Sequence, residues 1–335
     1  MPAKQALDDV TTNGAFKRKD AIFRNSITKD GPFPPAGNGR YMLYVCYACP
    51  WASRCLAVRA AKGLEKAIGL AVVHPIFSRT RPNDPEDQHE GWVFDPSFDD
   101  ACTTDPVFGA KTVRELYEKA IEIAGGLPEG QTDTRFTVPI LFDTHSKMIV
   151  SNESSEIMRF LNSDFDEFAE RPEVNLIPAD LLTAIDEMNA RVYESINNGV
   201  YKCGFARSQE AYNEAVDVLF TRLEEMEAIL SKQKYLVSNT TLTEADIRLF
   251  VTIVRFDEVY TVHFKCAKKH ICQFPALSAW MTDVYCQHNI STSVNMSHII
   301  NHYYRSHKGI NPFLIVPSPR GVDALLKAAL AASRK

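Results

Sequence analysis

Two cysteines in one short motif are the residues whose types and spacing most directly suggest chemistry. Cys46 and Cys49 lie in the run Cys-Tyr-Ala-Cys-Pro, and Pro50 suits the first position of a helix because that position needs no backbone N–H. A thiol at a helix start faces unpaired N–H groups and the positive end of the helix dipole, which can lower its pKa from about 8.5 to between about 3.5 and 7.5. The sequence therefore predicts a nucleophilic thiolate at Cys49, with a buried structural cysteine as the alternative.

The role of Cys46 is open to two interpretations. It can form a dithiol redox pair with Cys49, or it can simply end the preceding strand. In dithiol sites the nucleophile is the first cysteine, at the helix start, whereas here Pro50 follows the second. We therefore expect no part for Cys46 in turnover, and a protective Cys46–Cys49 disulfide is a hypothesis. Zinc shared with residues such as His263 or Cys266 is a further alternative, but no second C-x-x-C motif exists and we expect no metal.

The elements around Cys49 follow from apolar periodicity and turn residues. The predicted elements are strands at 41–46 and 70–76 with a helix from Pro50 to Gly63 between them, a helix at 113–124, a hairpin of 136–142 and 147–150, and a helix at 153–161. This β-α-β-α-β-β-α order is that of the thioredoxin fold. It places Cys49 at a strand-to-helix junction.

The second half of the chain has helical periodicity. Candidate helices cover 179–197, 208–231, 243–262, 275–288 and 292–305. Thr243 and Asp246 supply a capping box for one of them. We predict an α/β thioredoxin-like N-terminal domain followed by an all-α helical-bundle C-terminal domain. The predicted boundaries are an irregular N-terminal extension at 1–40, the thioredoxin-like domain at 41–163, a linker at 164–178, the all-α domain at 179–305 and a C-terminal extension at 306–335.

Composition excludes several classes of partner. The chain carries 37 Lys and Arg against 42 Asp and Glu, and this net charge of −5 gives no basic field for nucleic acid. It has no stretch of about 18 uncharged apolar residues, so we expect no membrane span, and its start lacks the apolar core of a secretory signal. Eight scattered cysteines in a chain this long predict reduced thiols and a cytoplasmic location.

Two further places can contact a ligand. Pro139 interrupts an apolar strand, which predicts either an edge strand or a cis bond after Val138 that leaves backbone groups able to pair with an extended peptide. Glu153 and Ser154 open a helix, where N–H and hydroxyl groups suit a ligand carboxylate and the acid suits a ligand ammonium. Helix capping alone explains Glu153 and Ser154 equally well.

Several motifs together resemble the Xi class of glutathione transferases, the glutathionyl-hydroquinone reductases. The motifs lie at 47–52 around Cys49, 91–94, 137–139, 151–157, 198–206, 242–249, 255–257, 263–266, 302–307 and 310–312. The resemblance extends over roughly residues 14–321. It implies a glutathione transferase fold and a cysteine-dependent thiol transfer, in which a glutathionyl-hydroquinone and glutathione give hydroquinone and glutathione disulfide through a mixed disulfide on Cys49.

The resemblance also implies roles for particular residues. Tyr201 and Tyr303 match the tyrosines that contact the hydroquinone, with Tyr304 as a neighbour that could be confused with Tyr303. The implied glutathione-binding positions are Trp92, Arg114, the Val138 backbone, Glu153 and Ser154, with Arg135 as a competitor for Arg114. From the residues alone, the two tyrosines fit packing between helices and Arg114 fits a solvated helix surface.

Glutathione is the implied co-substrate, and a homodimer formed through the helical domain is the implied assembly. Two other functions fit the same residues. One is an Omega-like thioltransferase or dehydroascorbate reductase that uses Cys49 on smaller mixed disulfides, and the other is a non-catalytic ligand-carrying protein of the same fold.

Overall fold

The computed structural model describes residue 11 and residues 14–334, so residues 1–10, 12 and 13 of the predicted N-terminal extension lie outside the described residues. The described chain divides into two compact units. The first is built on Lys19–Glu173 and the second on Val174–Lys335 together with residues 14–18. The boundary between the units lies inside the predicted linker.

A four-stranded mixed sheet organises the first unit. Its elements are β1 (Tyr41–Val45), α1 (Pro50–Lys62), β2 (Ile68–Val72), β3 (Ser78–Arg79), β4 (Glu90–Gly91), α2 (Val113–Ile123), β5 (Ile140–Asp143), β6 (Met148–Ser151) and α3 (Ser154–Arg159). The sheet order is β2-β1-β5-β6, with β1 parallel to β2 and antiparallel to β5, and with β5 antiparallel to β6. This confirms the predicted thioredoxin-like order of strands and helices.

Two strand ends lie several residues from where they were predicted, the end of β2 and the start of β5, and proline explains both differences. β2 ends at Val72 instead of 76 because Pro75 has no N–H to offer a ladder. β5 begins at Ile140 instead of 136, directly after Pro139, for the same reason.

Two segments outside the predicted strands and helices also contain some pairing. The loop at 77–110 holds the short ladder of β3 and β4. Within the predicted extension, Arg24 forms an antiparallel bridge with Ser151, and the Asn25 N–H donates to the Val150 carbonyl at 2.9 Å. Part of the extension therefore adds to the open edge of β6.

Helix α1 has the Cys-Pro motif at its start, and its C-terminal end is stabilised by a glycine cap and by buried side-chain contacts. Gly63 adopts φ +67° at the C-cap, a conformation that glycine takes without a steric penalty. The Lys62 ammonium is fully buried, pairs with Asp166 at 2.6 Å and donates to the Pro172 carbonyl at 3.1 Å. Arg171 donates to the Ala61 carbonyl at 2.9 Å. Cations at this end oppose the negative pole of the helix dipole and fix the helix that positions Cys49.

The second unit is helical. Its helices are α4 (Leu182–Val192), α5 (Gly199–Gly204), α6 (Gln209–Leu230), α7 (Glu244–Arg255), α8 (Thr261–His263), α9 (Pro275–Cys286), α10 (Met296–Ser306) and α11 (Val322–Ser333). Wider π-helical turns, Tyr193–Asn197 and Phe256–Tyr260, follow α4 and α7. Every residue of α7 is buried, which makes it the central helix of this unit. The all-α prediction is confirmed.

Local sequence explains the main agreements and differences in the helical unit. The capping box at Thr243 and Asp246 is confirmed, and the Asp246 carboxylate also accepts from Leu236 N at 2.9 Å and Trp280 Nε1 at 3.0 Å. Helix α5 was not predicted, because its glycines at 199 and 204 are poor helix formers. In the described part of the chain, no helix combines the length and apolarity needed to cross a bilayer.

Candidate functional site

Cys49 lies where the sequence placed it, at the N-cap of α1. Its N–H donates to the Cys46 carbonyl at 3.1 Å, and its carbonyl accepts the first helical bond from Ser53 N at 3.0 Å. The Sγ atom donates to the Val138 carbonyl at 3.3 Å. Cys49 is buried, and 9% of its surface remains exposed. Its thiol therefore has a helix start on one side and the loop before β5 on the other.

Cys46 is more deeply buried than Cys49, although both lie in the same motif. It is completely buried, and this burial raises the pKa of its thiol well above the usual value. All eight cysteines are thiols in the structure, Cys46 and Cys49 included. A buried, protonated thiol is a weak nucleophile, which fits the expectation that Cys46 takes no part in turnover.

The loop that approaches Cys49 is held by polar contacts from α2 and the segment after β6. The bond between Val138 and Pro139 is cis, and β5 lies inside the sheet, so the cis alternative is confirmed and the edge-strand alternative is wrong. The Tyr117 hydroxyl donates to the Thr137 carbonyl at 3.0 Å and accepts from Asn152 Nδ2 at 3.1 Å. These contacts fix the position of the Val138 backbone.

Glu153 and Ser154 form the start of α3. One Glu153 carboxylate oxygen accepts from Ser155 N at 2.9 Å and Ser155 Oγ at 2.8 Å, so this residue caps its own helix. The buried Ser154 hydroxyl accepts from Arg54 at 3.4 Å. Arg54 also lies over the Trp51 ring at 4.4 Å, which links the first turns of α1 to the start of α3.

Trp92 follows β4 and is tied to the start of α2. Its carbonyl accepts from Val113 N at 3.0 Å, and its ring packs edge-on against Phe77 with centroids 4.5 Å apart. The side chain is largely buried.

Arg114 contacts the segment between Thr80 and Asp87, which precedes Trp92 in the chain. Its guanidinium pairs with Asp87 at 2.6 Å and Glu118 at 2.9 Å, and it donates to Thr80 Oγ1 at 3.3 Å. The guanidinium of a residue that the resemblance assigned to glutathione binding is thus paired with two carboxylates of the protein itself. Its competitor Arg135 is paired with Asp133 at 3.3 Å.

In the second unit, Tyr201 and Tyr303 come together with a third tyrosine that the sequence analysis missed. The Tyr201 and Tyr303 hydroxyl oxygens are 2.7 Å apart, and those of Tyr260 and Tyr303 are 2.9 Å apart. We call these three residues the phenol chain. Burial raises the pKa of both Tyr260 and Tyr303 well above the usual value of 10. Tyr304 donates instead to the Glu258 carbonyl at 3.1 Å, which distinguishes it from Tyr303.

Buried histidines lie beside the phenol chain. His263 Nε2 and His307 Nδ1 are 3.1 Å apart, and the His307 ring centroid lies 5.4 Å from that of Tyr303. Burial lowers the pKa of His263 to about 4 and that of His307 well below 6.5. At neutral pH both imidazoles are therefore uncharged, and they share one hydrogen bond. Tyr260 is one aromatic residue among many apolar residues in the predicted helix at 243–262, so no local sequence signal marked it as the third phenol.

Comparisons with known proteins match residues in both units to described protein families. The glutathione S-transferase N-terminal domain matches residues 48–164, and the glutathione S-transferase C-terminal domain matches residues 209–283. The Xi glutathione transferase of Phanerochaete chrysosporium superposes with a TM-score of 0.82 at 45% identity, over 92% of this chain and 98% of that one. The chain belongs to the Xi class of glutathione transferases.

Two further comparisons concern a bacterial member of the class. The Escherichia coli K12 glutathionyl-hydroquinone reductase YqjG is 44% identical over 316 residues, which are 92% of this chain and 90% of that protein. Its glutathione-bound structure superposes with a TM-score of 0.79 at 40% identity, over 96% of this chain and all of that one.

Each half of this Xi-class chain offers one kind of chemistry. The first unit presents a buried thiol at a helix start, where the helix dipole favours negative charge, and this thiol donates to the Val138 carbonyl. The second unit presents a hydrogen-bonded chain of phenols that stay protonated at neutral pH and can donate a proton.

Proposed function

We propose that this chain reduces glutathionyl-hydroquinones to hydroquinones with glutathione as co-substrate. The observation that carries the proposal is the Cys49 thiol at the start of α1, in a chain 44% identical to a named glutathionyl-hydroquinone reductase. One glutathionyl-hydroquinone and one glutathione give one hydroquinone and one glutathione disulfide, so the two electrons come from the thiols.

In the first step, the Cys49 thiolate attacks the sulfur of the glutathionyl group. A sulfur–sulfur bond forms and the carbon–sulfur bond breaks, and its electron pair goes to the ring carbon, which must take up a proton. An aryl carbanion is a poor leaving group, so proton donation must accompany the attack. We assign this donation to Tyr201 and Tyr303, whose hydroxyls share a 2.7 Å hydrogen bond.

In the second step, the thiolate of a second glutathione attacks the glutathionyl sulfur of the mixed disulfide. Glutathione disulfide leaves and the Cys49 thiolate is restored. The leaving thiolate is the one stabilised by the start of α1, so the same feature that activates attack also favours release.

Glutathione binding is assigned to Trp92, the Val138 backbone, Glu153 and Ser154. The glutathione-bound structure of the Escherichia coli relative supports a glutathione site on this fold. We keep Arg114 in this set as a positioning residue, because its pairs with Asp87 and Glu118 fix the segment that carries Trp92.

We also propose a cytoplasmic homodimer that detoxifies quinones. Eight reduced cysteines suit a reducing compartment. Phe313 and Ile315, which are 84% and 67% exposed, provide apolar surface of the kind that a second subunit covers. Light scattering on a sizing column should give twice the 37.6 kDa chain mass, and a mass of one chain would contradict the dimer.

Mass spectrometry tests the catalytic proposal directly. The protein is mixed with one glutathionyl-hydroquinone, quenched, digested and searched for a glutathione adduct. We expect the adduct on Cys49, with one hydroquinone released for each adduct, and its disappearance when glutathione is added. Cys49→Ser should give neither adduct nor product, while Cys46→Ala should behave as the unaltered protein.

Two outcomes would favour the other functions. Unchanged hydroquinone release by Cys49→Ser would refute a catalytic Cys49. Reduction of small mixed disulfides or dehydroascorbate without carbon–sulfur cleavage would indicate the Omega-like activity, and substrate binding without any turnover would indicate a ligand carrier.

A further inference from the structure

A short segment that precedes the thioredoxin-like unit packs on the helical unit. Residues 14–18, here called the strap, belong to the second unit. The Gly14 carbonyl accepts from Arg207 N at 3.0 Å. Gly14 has φ +84°, and a Cβ there would lie 3.2 Å from backbone atoms of Arg207 and Ser208, so glycine allows this close approach. The strap is therefore fixed just beyond the end of α5.

The next residues of the strap cover Tyr201. Phe16 is buried and stacks on Tyr201 with ring centroids 6.2 Å apart. The Arg18 guanidinium carbon lies 4.8 Å from the centre of the Tyr201 ring. Arg18 Nε donates to Asn198 Oδ1 at 2.9 Å, and Asn198 immediately precedes the helix that carries Tyr201. This side-chain hydrogen bond helps to hold the guanidinium over the ring.

A cation in this position distinguishes Tyr201 from the other two phenols. A guanidinium over an aromatic face interacts more strongly with a phenolate than with a neutral phenol, so it favours release of the proton. Tyr260 and Tyr303 are buried among other aromatic rings, and burial disfavours their phenolates more strongly than the charge of Arg255 favours them. The other charged or titratable groups around the phenol chain are Arg255, His263, His302 and His307.

We propose that Arg18 is a positioning residue that orients the Tyr201 ring and selects its hydroxyl as the proton donor to the hydroquinone carbon. The proposal rests on the proposed function, since it concerns the proton-transfer part of that reaction. When Tyr201 gives up its proton, Tyr303 donates a hydrogen bond to the resulting oxygen, and Tyr260 supports Tyr303 in turn. Arg18 and the two phenols stabilise the same developing charge from different sides.

The strap offers a matched pair of variants for the test. Arg18→Gln removes the cation over Tyr201, and Lys17→Gln removes an exposed cation from the neighbouring position. Hydroquinone release is measured against pH, together with thiolation of Cys49 by glutathione disulfide. The second reaction requires no proton on a ring carbon and reports on Cys49 alone.

We expect Arg18→Gln to slow hydroquinone release about tenfold and to leave thiolation of Cys49 unchanged. Release needs a protonated phenol and is lost above its pKa, so removal of the cation should move the alkaline limit of release upward by up to about one pH unit. Arg18→Lys keeps a cation without the planar guanidinium and should restore part of the rate. Lys17→Gln should match the unaltered protein.

Three results would overturn the inference. They are an Arg18→Gln profile identical to that of Lys17→Gln, an equal loss of release and thiolation, and an Arg18→Lys variant no better than Arg18→Gln. In each case the Cys49 adduct of the unaltered protein would still support the proposed function. Absence of that adduct would refute the proposed function itself.

Discussion

The thiol of Cys49 and the phenol chain are held in place by different kinds of contact. Cys49 is positioned by backbone groups, namely the Cys46 carbonyl, the first turn of α1 and the Val138 carbonyl. The hydroxyls of Tyr201, Tyr260 and Tyr303 bond to one another, across sequence separations of 102 and 43 residues. The first site depends on local chain geometry, whereas the second depends on three helical segments packing correctly.

The two sites also differ in the charge state that their surroundings favour. A helix start favours negative charge at the position of Cys49, a buried residue that keeps 9% of its surface exposed. Around the phenol chain, burial keeps Tyr260, Tyr303 and the nearby imidazole of His307 uncharged. The surroundings of Cys49 are suited to a negative charge, and the phenol chain is suited to remain protonated. The proposed reaction requires both, a thiolate and a proton donor.

Removal of the thiol should produce the largest effect. Because every step passes through Cys49, Cys49→Ser should lower both hydroquinone release and thioltransferase activity by at least about 10³-fold. Initial rates with a glutathionyl-hydroquinone and with a small glutathione mixed disulfide provide the measurement.

Cys46→Ala is the matched control for this variant, since Cys46 is completely buried in the same motif. Its rates should stay within about threefold of the unaltered protein, because its thiol takes no part in either step. A loss comparable to that of Cys49→Ser would show that the two thiols act as a pair.

The second prediction separates the two sites. Tyr303 links the other two phenols, so Tyr303→Phe should interrupt proton donation and slow hydroquinone release by about 10²-fold. Thiolation of Cys49 by glutathione disulfide should be unchanged. Tyr304→Phe is the control, because the Tyr304 hydroxyl donates to the Glu258 carbonyl outside the phenol chain. If both variants lose release equally, proton donation is not specific to Tyr303.

The third prediction concerns stability in the buried region. His263 has a pKa of about 4 in the folded chain, below the usual 6.5, so the unfolded state takes up its proton first as the pH falls. The stability associated with this histidine is complete above about pH 6.5 and is lost progressively down to about pH 4, with a total on the order of 3 kcal/mol.

Urea unfolding at about pH 7 and about pH 5 tests this dependence. His263→Gln cannot be protonated, so its free energy of unfolding should change less between the two pH values. The exposed His145 provides the control, and His145→Gln should keep the pH dependence of the unaltered chain. Equal slopes for the three proteins would contradict a buried, neutral His263.

The same contrast explains which features could be predicted from the sequence. Pro50, Gly63 and the cis bond before Pro139 act through neighbouring residues, so the start of α1, its end and the approach of Val138 follow from local patterns. Tyr260 is one apolar residue among many in a helical pattern, and nothing local shows that its hydroxyl meets that of Tyr303.

The contacts of Arg114 and Arg18 also could not be predicted from local sequence patterns. Arg114 has the spacing of a solvated helix residue, yet it pairs with Asp87 from a loop whose path periodicity does not describe. Arg18 lies in a segment without regular structure, and its position over Tyr201 depends on the packing of Phe16. Such contacts are set by tertiary packing, which single-sequence patterns do not encode.

We expect the smallest effect on hydroquinone release from a change at Tyr260, which lies at one end of the phenol chain. The Tyr260 hydroxyl lies 2.9 Å from that of Tyr303, and its ring centroid lies 6.3 Å from that of Tyr201, so we assign it a supporting role beside the donor. Tyr260→Phe should slow hydroquinone release by about fivefold, the equivalent of one ordinary hydrogen bond of about 1 kcal/mol. Rates of Tyr260→Phe, Tyr303→Phe and the double variant form a cycle. If the phenols act as one chain, the double variant should be no slower than Tyr303→Phe, because removal of the central hydroxyl already removes the hydrogen bond of Tyr260 to Tyr303. Fully additive losses would mean that Tyr260 acts independently of Tyr303.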